Sequence, residues 1–534
     1  MNRFPHVCLL LLVQLVAGCS RCGKTAPSPA ERTSIHRFLP RIAEAVVVVP
    51  DSARLGAKLK QIEGLKLASF VAQLQGLTNA QEYVTGLMQQ LGVDLRSREE
   101  LVKAGIDPER GAAVAVVSAN RGYWVIAIAD AGRFRDAVRR LANSRLGASA
   151  ETTRDELGNA ITYFSRSGEA GSLLAFLVVD GFALMAAGES VQELPGYAAL
   201  SLPESLADAQ PLSAALARLP ATADIYVHVP TTSKLAGYCG FASCTLSAEL
   251  TANALQLRAD LPRQSPQLAL LAEKTGPELI SFLPADAFLV ARFGADPLLL
   301  SQSWPKLVGQ AVASEIQKSG LDVQGDLLHN VEPGAVAALS LAPTAIFSET
   351  PSLDFRRSNP FRFIHLVALA AVRDSGRTDQ MLAKLPALAP RLGAKIEPAK
   401  RQGRTAYLTS YAQGPGTDFA QVDGKLAIAA PVERLDEAIA RLSRPADDGA
   451  GPIGEAGLRQ ALKARPLTAV LDFAALTQSI RRLPSSAWGI GGFAIKATTL
   501  RWLDAIDDLR AVTGGLYAKD GALEVEIDLR FAKR

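Results

Sequence analysis

Histidine, cysteine and aromatic residues are scarce. The 534-residue chain has 5 histidines, 5 cysteines and 6% Phe, Trp and Tyr. None of the histidines sits in an HExxH or a short His–Cys cluster, so no metal centre is expected. A GxSxG nucleophile elbow, a P-loop and a GxGxxG opening a helix after a strand are also missing. No cofactor is therefore expected. A triad can still assemble from distant residues, because triads are recognised by geometry. His228, in IYVHVP, alternates with Tyr226 and reads as a structural or surface histidine. An excess of one charge sign is lacking too: 57 Lys and Arg against 53 Asp and Glu give +4. That balance, spread along the chain, gives no electrostatic footprint for nucleic acid.

Long apolar runs are absent except at the start. Val7 to Val16 is apolar but for Gln14, and Arg3 precedes it. About 10 residues make about 15 Å of helix, too short for a hydrocarbon core of about 30 Å. The pattern fits a secretory signal. The next candidate, LLAFLVVDGFALMAA (173–187), is split by Asp180-Gly181 into two strand-length pieces around a turn.

The signal ends in Val16-Ala17-Gly18-Cys19, which resembles the lipobox of bacterial lipoproteins. The resemblance implies cleavage between Gly18 and Cys19, with lipid on the Cys19 thiol and on its new amino group. Two or more chains anchor stably where one is marginal. The implied partner is thus a membrane, held through an N-terminal anchor. Ser20, where the family uses Asp for inner-membrane retention, favours the outer membrane. Residues 1–18 are then the signal and 19–37 a polar, proline-containing tether. About 18 tether residues reach about 23 Å as a flexible coil. Cys22 stands three residues from the anchor, where a second molecule could form a disulfide with it.

The rest has ordinary globular composition, 48% hydrophobic and 21% charged. It carries an internal repeat at an offset of about 244 residues. Phe38-Leu39-Pro40 matches Phe282-Leu283-Pro284. Asp130-Ala131-Gly132-Arg133 matches Asp374-Ser375-Gly376-Arg377, and Val179-Asp180-Gly181 matches Val422-Asp423-Gly424. Near the ends, ALQLRADL (254–261) matches ALEVEIDL (522–529). The expectation is two α+β units, 38–263 and 282–534, joined by a linker at 264–281. Alternating short strands, hairpin turns and amphipathic helices predict largely antiparallel sheets with helices packed on one face. The strand opening LPADAFLVARF (283–293) also resembles an uncharacterised family of exported bacterial proteins, whose strand opens with Leu-Pro-Ala-Asp. That resemblance implies an architecture and no activity.

Four further features draw attention. Gly237-Tyr238-Cys239-Gly240-Phe241-Ala242 and Gly489-Ile490-Gly491-Gly492-Phe493-Ala494 share Gly-x-x-Gly-Phe-Ala without the Lys-Ser/Thr of a phosphate loop, and read as tight turns. Cys239 and Cys244 can pair as a local staple outside the cytoplasm; free thiols and a redox pair are the alternatives. Arg356, Arg357 and Arg362 alternate with phenylalanines at 354–363, a solvated loop or a partner-binding one. Arg135, Arg139, Arg140 and Arg145 form the polar side of a helix.

The leading functional expectation is a lipid-anchored, non-enzymatic envelope protein that binds or scaffolds a protein partner. A second is a carrier of a lipid or other apolar ligand, in a hollow lined by YWVIAIAD (123–130) and FIHLVALAA (363–371). A third is a hydrolase, which needs a Ser or Thr grouped with His228 or His365 and a carboxylate.

Overall fold

The computed structural model describes residues 35–532, except 75, 92, 169–170, 235–242, 252, 263–269, 272–277, 319, 343–362, 412–413, 445–451, 455, 464 and 489–491. The chain divides into two compact units, Met1–Arg263 with Gly521–Arg534, and Gln264–Asp520.

In the first unit, β1 (Ala45–Val49) leads into helices α1 (Ser52–Ile62), α2 (Lys66–Leu74), α3 (Ala80–Leu91) and α4 (Arg98–Lys103). The hairpin β2 (Ala112–Ser118) and β3 (Arg121–Ala127) follows, then α5 (Ala131–Leu141). Next come β4 (Ala150–Glu156), β5 (Asn159–Ser165), β6 (Leu174–Val179) and β7 (Phe182–Ala187). Helices α6 (Leu194–Ala198) and α7 (Gln210–Arg218) precede β8 (Ile225–Val229), β9 (Cys244–Leu250) and β10 (Ala254–Pro262). The antiparallel order is β4-β5-β6-β7-β3-β2-β1-β8-β9-β10.

The second unit opens with β11 (Leu289–Phe293), α8 (Leu298–Val308) and α9 (Gln310–Lys318). Then come β12 (Ala335–Leu341), β13 (Ile364–Ala371) and α10 (Ser375–Leu388). Strands β14 (Ala394–Arg401), β15 (Arg404–Tyr411), the two-residue β16 (Gly414–Pro415), β17 (Asp418–Val422) and β18 (Lys425–Ala430) follow. After α11 (Val432–Leu442) and α12 (Ala456–Lys463) comes β19 (Leu467–Asp472). Helices α13 (Phe473–Arg482) and α14 (Gly492–Ala505) separate it from β20 (Leu509–Lys519). The antiparallel order is β14-β15-β17-β18-β13-β12-β11-β19-β20. These nine strands follow the same order as the first nine of the first unit's ten.

Local sequence explains the matching joints. Asp130 and Asp374 each cap a helix, accepting the N–H of Arg133 and of Arg377 at 3.0 Å. Asp180-Gly181 (φ 50° and 76°) and Asp423-Gly424 (47° and 75°) turn their hairpins with both residues left-handed, as a type I′ turn requires.

Two expectations need correction. Helices cover both faces of each sheet, not one. In β7, Phe182, Leu184 and Ala186 share a core with Leu194 of α6, while Ala183 between them joins Phe134 and Val138 of α5. The cause is legible in LAFLVV and FALMAA, which are apolar at successive positions and so must be covered twice. The second unit repeats this: Ala427 and Ala429 meet α11, and Leu426 meets Met381 and Leu382 of α10. The last strand also differs from its expected place. β21 (Ala522–Phe531) falls in the first unit, paired antiparallel with β10 from Ala254↔Arg530 to Pro262↔Ala522. Strand partners follow hydrogen-bond register rather than chain proximity, and Arg258 and Glu526 add an ion pair of 3.0 Å across this one.

Candidate binding site

A hollow of about 290 Å³ lies in the second unit, between its helices and one face of its sheet. Met381, Leu382, Leu385 and Leu388 line it from α10, at the spacing that places residues on one helix side. Phe419 of β17 and Leu426 and Ile428 of β18 form the floor, with Ile396 of β14 at its edge. Trp304 of α8, Ile316 of α9 and Leu321, Val323 and Leu327 close the remaining side. The lining residues are hydrophobic, with the Trp304 indole N–H their one side-chain donor, so the hollow offers chiefly dispersion contact and relief from water.

The corresponding face of the first unit carries packed aromatic rings. There Phe176 meets Phe134 edge-on with ring centroids 5.7 Å apart, and stacks on Phe164 at 6.2 Å. Phe134 is the fourth residue after the capping Asp130; the fourth after Asp374 is Thr378. Phe176 is paired with Thr162 across the sheet, and Phe419 with Tyr407. Two residues further on, the first unit has Phe164 and the second has Thr409. Two rings of the first unit's core are thus threonines in the second, while one threonine becomes Tyr407. Thr378 is instead spent on a polar contact, accepting from Asn330 Nδ2 at 2.8 Å.

The hollow is not where the sequence placed a concavity. Tyr123, Val125 and Ala127 are packed into the first unit's core, and Val367 and Leu369 into the second's. These strands sit mid-sheet, and none of their residues lines the hollow.

The polar candidates have partners within the fold. His228 Nδ1 lies 2.8 Å from Thr245 Oγ1, its neighbour in register, and burial pushes its pKa down to about 4. Asp260, next in the row, is held by Arg218, whose Nε and Nη2 donate to its two oxygens at 2.5 and 2.8 Å. That carboxylate is occupied by the guanidinium. His365 accepts from Arg434 Nε at its Nδ1 (3.1 Å); burial and then Arg434 hold its pKa below the usual histidine value. Arg434 also binds Asp286 and Glu437, which gives the Leu-Pro-Ala-Asp aspartate a structural partner. Arg135 and Arg139 reach Glu151 on β4, so that helix face is tied to the sheet edge.

Sequence reasoning missed one pair: Ser301 of α8 meets His329 Nε2 at 2.8 Å. Their separation of 28 residues gives no local signal. Ser301 lies one helical turn before the lining residue Trp304, and His329 two residues after Leu327.

Gly18, Cys19, Cys22 and Cys239, residues 354–362, the whole Gly-x-x-Gly-Phe-Ala stretch at 237–242 and residues 489–491 of the second lie outside the described residues. Cys244 opens β9, half-buried, paired in register with Val229. Among the described residues, no helix is long and apolar enough to cross a membrane. Among them, too, no group of three His, Cys, Asp or Glu side chains could hold a metal ion.

No protein-family model matches the chain, and no curated protein matches it. Among solved structures, crystal forms I and III of TP0453 are similar in part. Each is 9% identical with a TM-score of 0.24, over 47% of this chain and 78% or 79% of the other.

Proposed function

We propose that this is an exported, lipid-anchored binding protein, not an enzyme, and that its second unit holds an apolar ligand. The observation that carries the reading is the hollow beneath α10, lined by hydrophobic side chains. Its volume sits at the lower edge of small-molecule sites, about 300 Å³. In this reading the two units are copies of one ancestral unit. The matching strand orders and the twin aspartate caps support that. One copy kept a solid core, and the other lost two rings and gained a site.

The anchor is the Cys19 lipid, after cleavage behind Gly18. It would tether the units to the envelope, with the outer membrane favoured by Ser20. Metabolic labelling with an alkyne fatty acid tests this: the label should be lost in Cys19→Ala, and a label that persists would refute the anchor. For the site, naphthalene titrated calorimetrically into the mature chain bearing Cys19→Ser should bind with a stoichiometry near one. Leu385→Trp, which fills the hollow from α10, should abolish that binding while leaving the unfolding transition in place. Equal binding by the variant would move the ligand elsewhere.

A further inference from the structure

We infer that the ligand is a single medium-length acyl chain, about ten to twelve carbons long, with its carboxyl end at Ser301 and His329. This rests on the reading of the hollow as a ligand site.

The argument begins with size. A cavity of about 150 Å³ takes benzene, six carbons. At that rate a hollow of about 290 Å³ has room for about twelve carbon atoms. Shape comes next. The lining residues of α10 run from Met381 to Leu388, two turns or about 10 Å along the helix axis. An extended chain follows such a path along its whole length.

Polarity fixes the direction. The lining side chains offer a carboxyl group no more than the Trp304 indole N–H, and burying that group without its full set of partners is costly. Ser301 stands on the helix that supplies Trp304, and His329 caps the turn that supplies Leu327; their side chains meet at 2.8 Å. Ser301 is buried and His329 exposed, so the pair reaches from the interior to solvent. Gln324 Nε2 donates to the Ser301 carbonyl at 2.9 Å and holds that turn of helix in place. A chain entering here keeps its head at the imidazole and hydroxyl while its tail runs under α10.

The test is a chain-length series on the mature chain bearing Cys19→Ser. Octanoate, decanoate, dodecanoate, tetradecanoate and hexadecanoate are titrated while tryptophan fluorescence is read, with Trp304→Phe to assign the signal. Each buried methylene should tighten binding about fourfold. The gain should stop between ten and twelve carbons. Continued tightening to sixteen carbons would overturn the assignment, as would a plateau at eight. His329→Ala and Ser301→Ala should each weaken decanoate about tenfold or more, and leave naphthalene unchanged. Decanoate binding that ignores both substitutions would place the head elsewhere and refute the orientation. If naphthalene binds but the series shows no plateau, only the acyl-chain assignment falls. If neither naphthalene nor any fatty acid binds, the apolar-site reading falls with it.

Discussion

Asp418 accepts the backbone N–H of Thr409 at 2.7 Å from the face of β17 opposite the hollow. Its neighbour Phe419 points the other way and lines the ligand space. Asp418 shares its buried face with Ala420 and Val422, and burial lifts its pKa from 3.8 to about 6. Glu433 and Asp436 add to the rise; the Thr409 N–H and Arg401 oppose it. The folded state therefore binds a proton more tightly than the unfolded chain. This group's contribution to stability is greatest below about pH 4 and is lost as pH rises through about 6. Asp418→Asn keeps an acceptor for Thr409 and removes the charge. It should stabilise the second unit at pH 8 by on the order of 3 kcal/mol and have little effect at pH 4. Denaturation midpoints of wild type and variant across that range check the slope, and the opposite trend would contradict it.

A buried charge cluster supports the first unit. Lys58 Nζ donates to both oxygens of Asp224, at 2.6 and 2.5 Å, and Arg54 Nε lies 3.1 Å away. Leu250 N–H completes the carboxylate's partners at 2.9 Å. Asp224→Ala strands a buried ammonium and should cost about 3–5 kcal/mol. Lys58→Met combined with Asp224→Leu should recover most of that loss, because neither charge then has to be desolvated. Urea unfolding of both variants, followed through Trp124, the one tryptophan of the first unit, with the other three replaced by Phe, measures the difference.

Matched phenylalanines report on the two cores. Phe176→Ala removes a ring packed on two others and should cost about 3–5 kcal/mol. Phe419→Ala removes a ring that already faces empty space, so it should cost less than half as much. Parallel denaturation curves decide this, and equal losses would argue that the hollow is packed in solution.

Much of the fold can be read from residue patterns. The Asp-Gly turns at 180–181 and 520–521 adopt paired positive φ values, as residues without a strong Cβ penalty in that region permit. AVVVV forms a central strand, and Phe134 and Val138, four residues apart, form the buried side of α5. β4, AETTRDE, escaped notice because an edge strand facing water has no apolar alternation to betray it. The row His228, Thr245, Asp260 also escaped, since strand register assembles it over distances that sequence spacing does not encode. The hollow was the least legible feature. Its walls are mostly ordinary leucines and isoleucines, and a void leaves no pattern of its own in a sequence. Only comparison of Thr378 and Thr409 with Phe134 and Phe164, at the matching places of the first unit, marks this face as different.

The most direct measurement is to identify what the protein carries from the cell. The mature chain bearing Cys19→Ser, exported behind a cleavable signal and purified without detergent, would be extracted with organic solvent and analysed by mass spectrometry. The Leu385→Trp form would be treated alongside. The account predicts an apolar molecule, near one per chain in the parent and depleted in the variant. Equal amounts in both, or nothing bound in either, would contradict it.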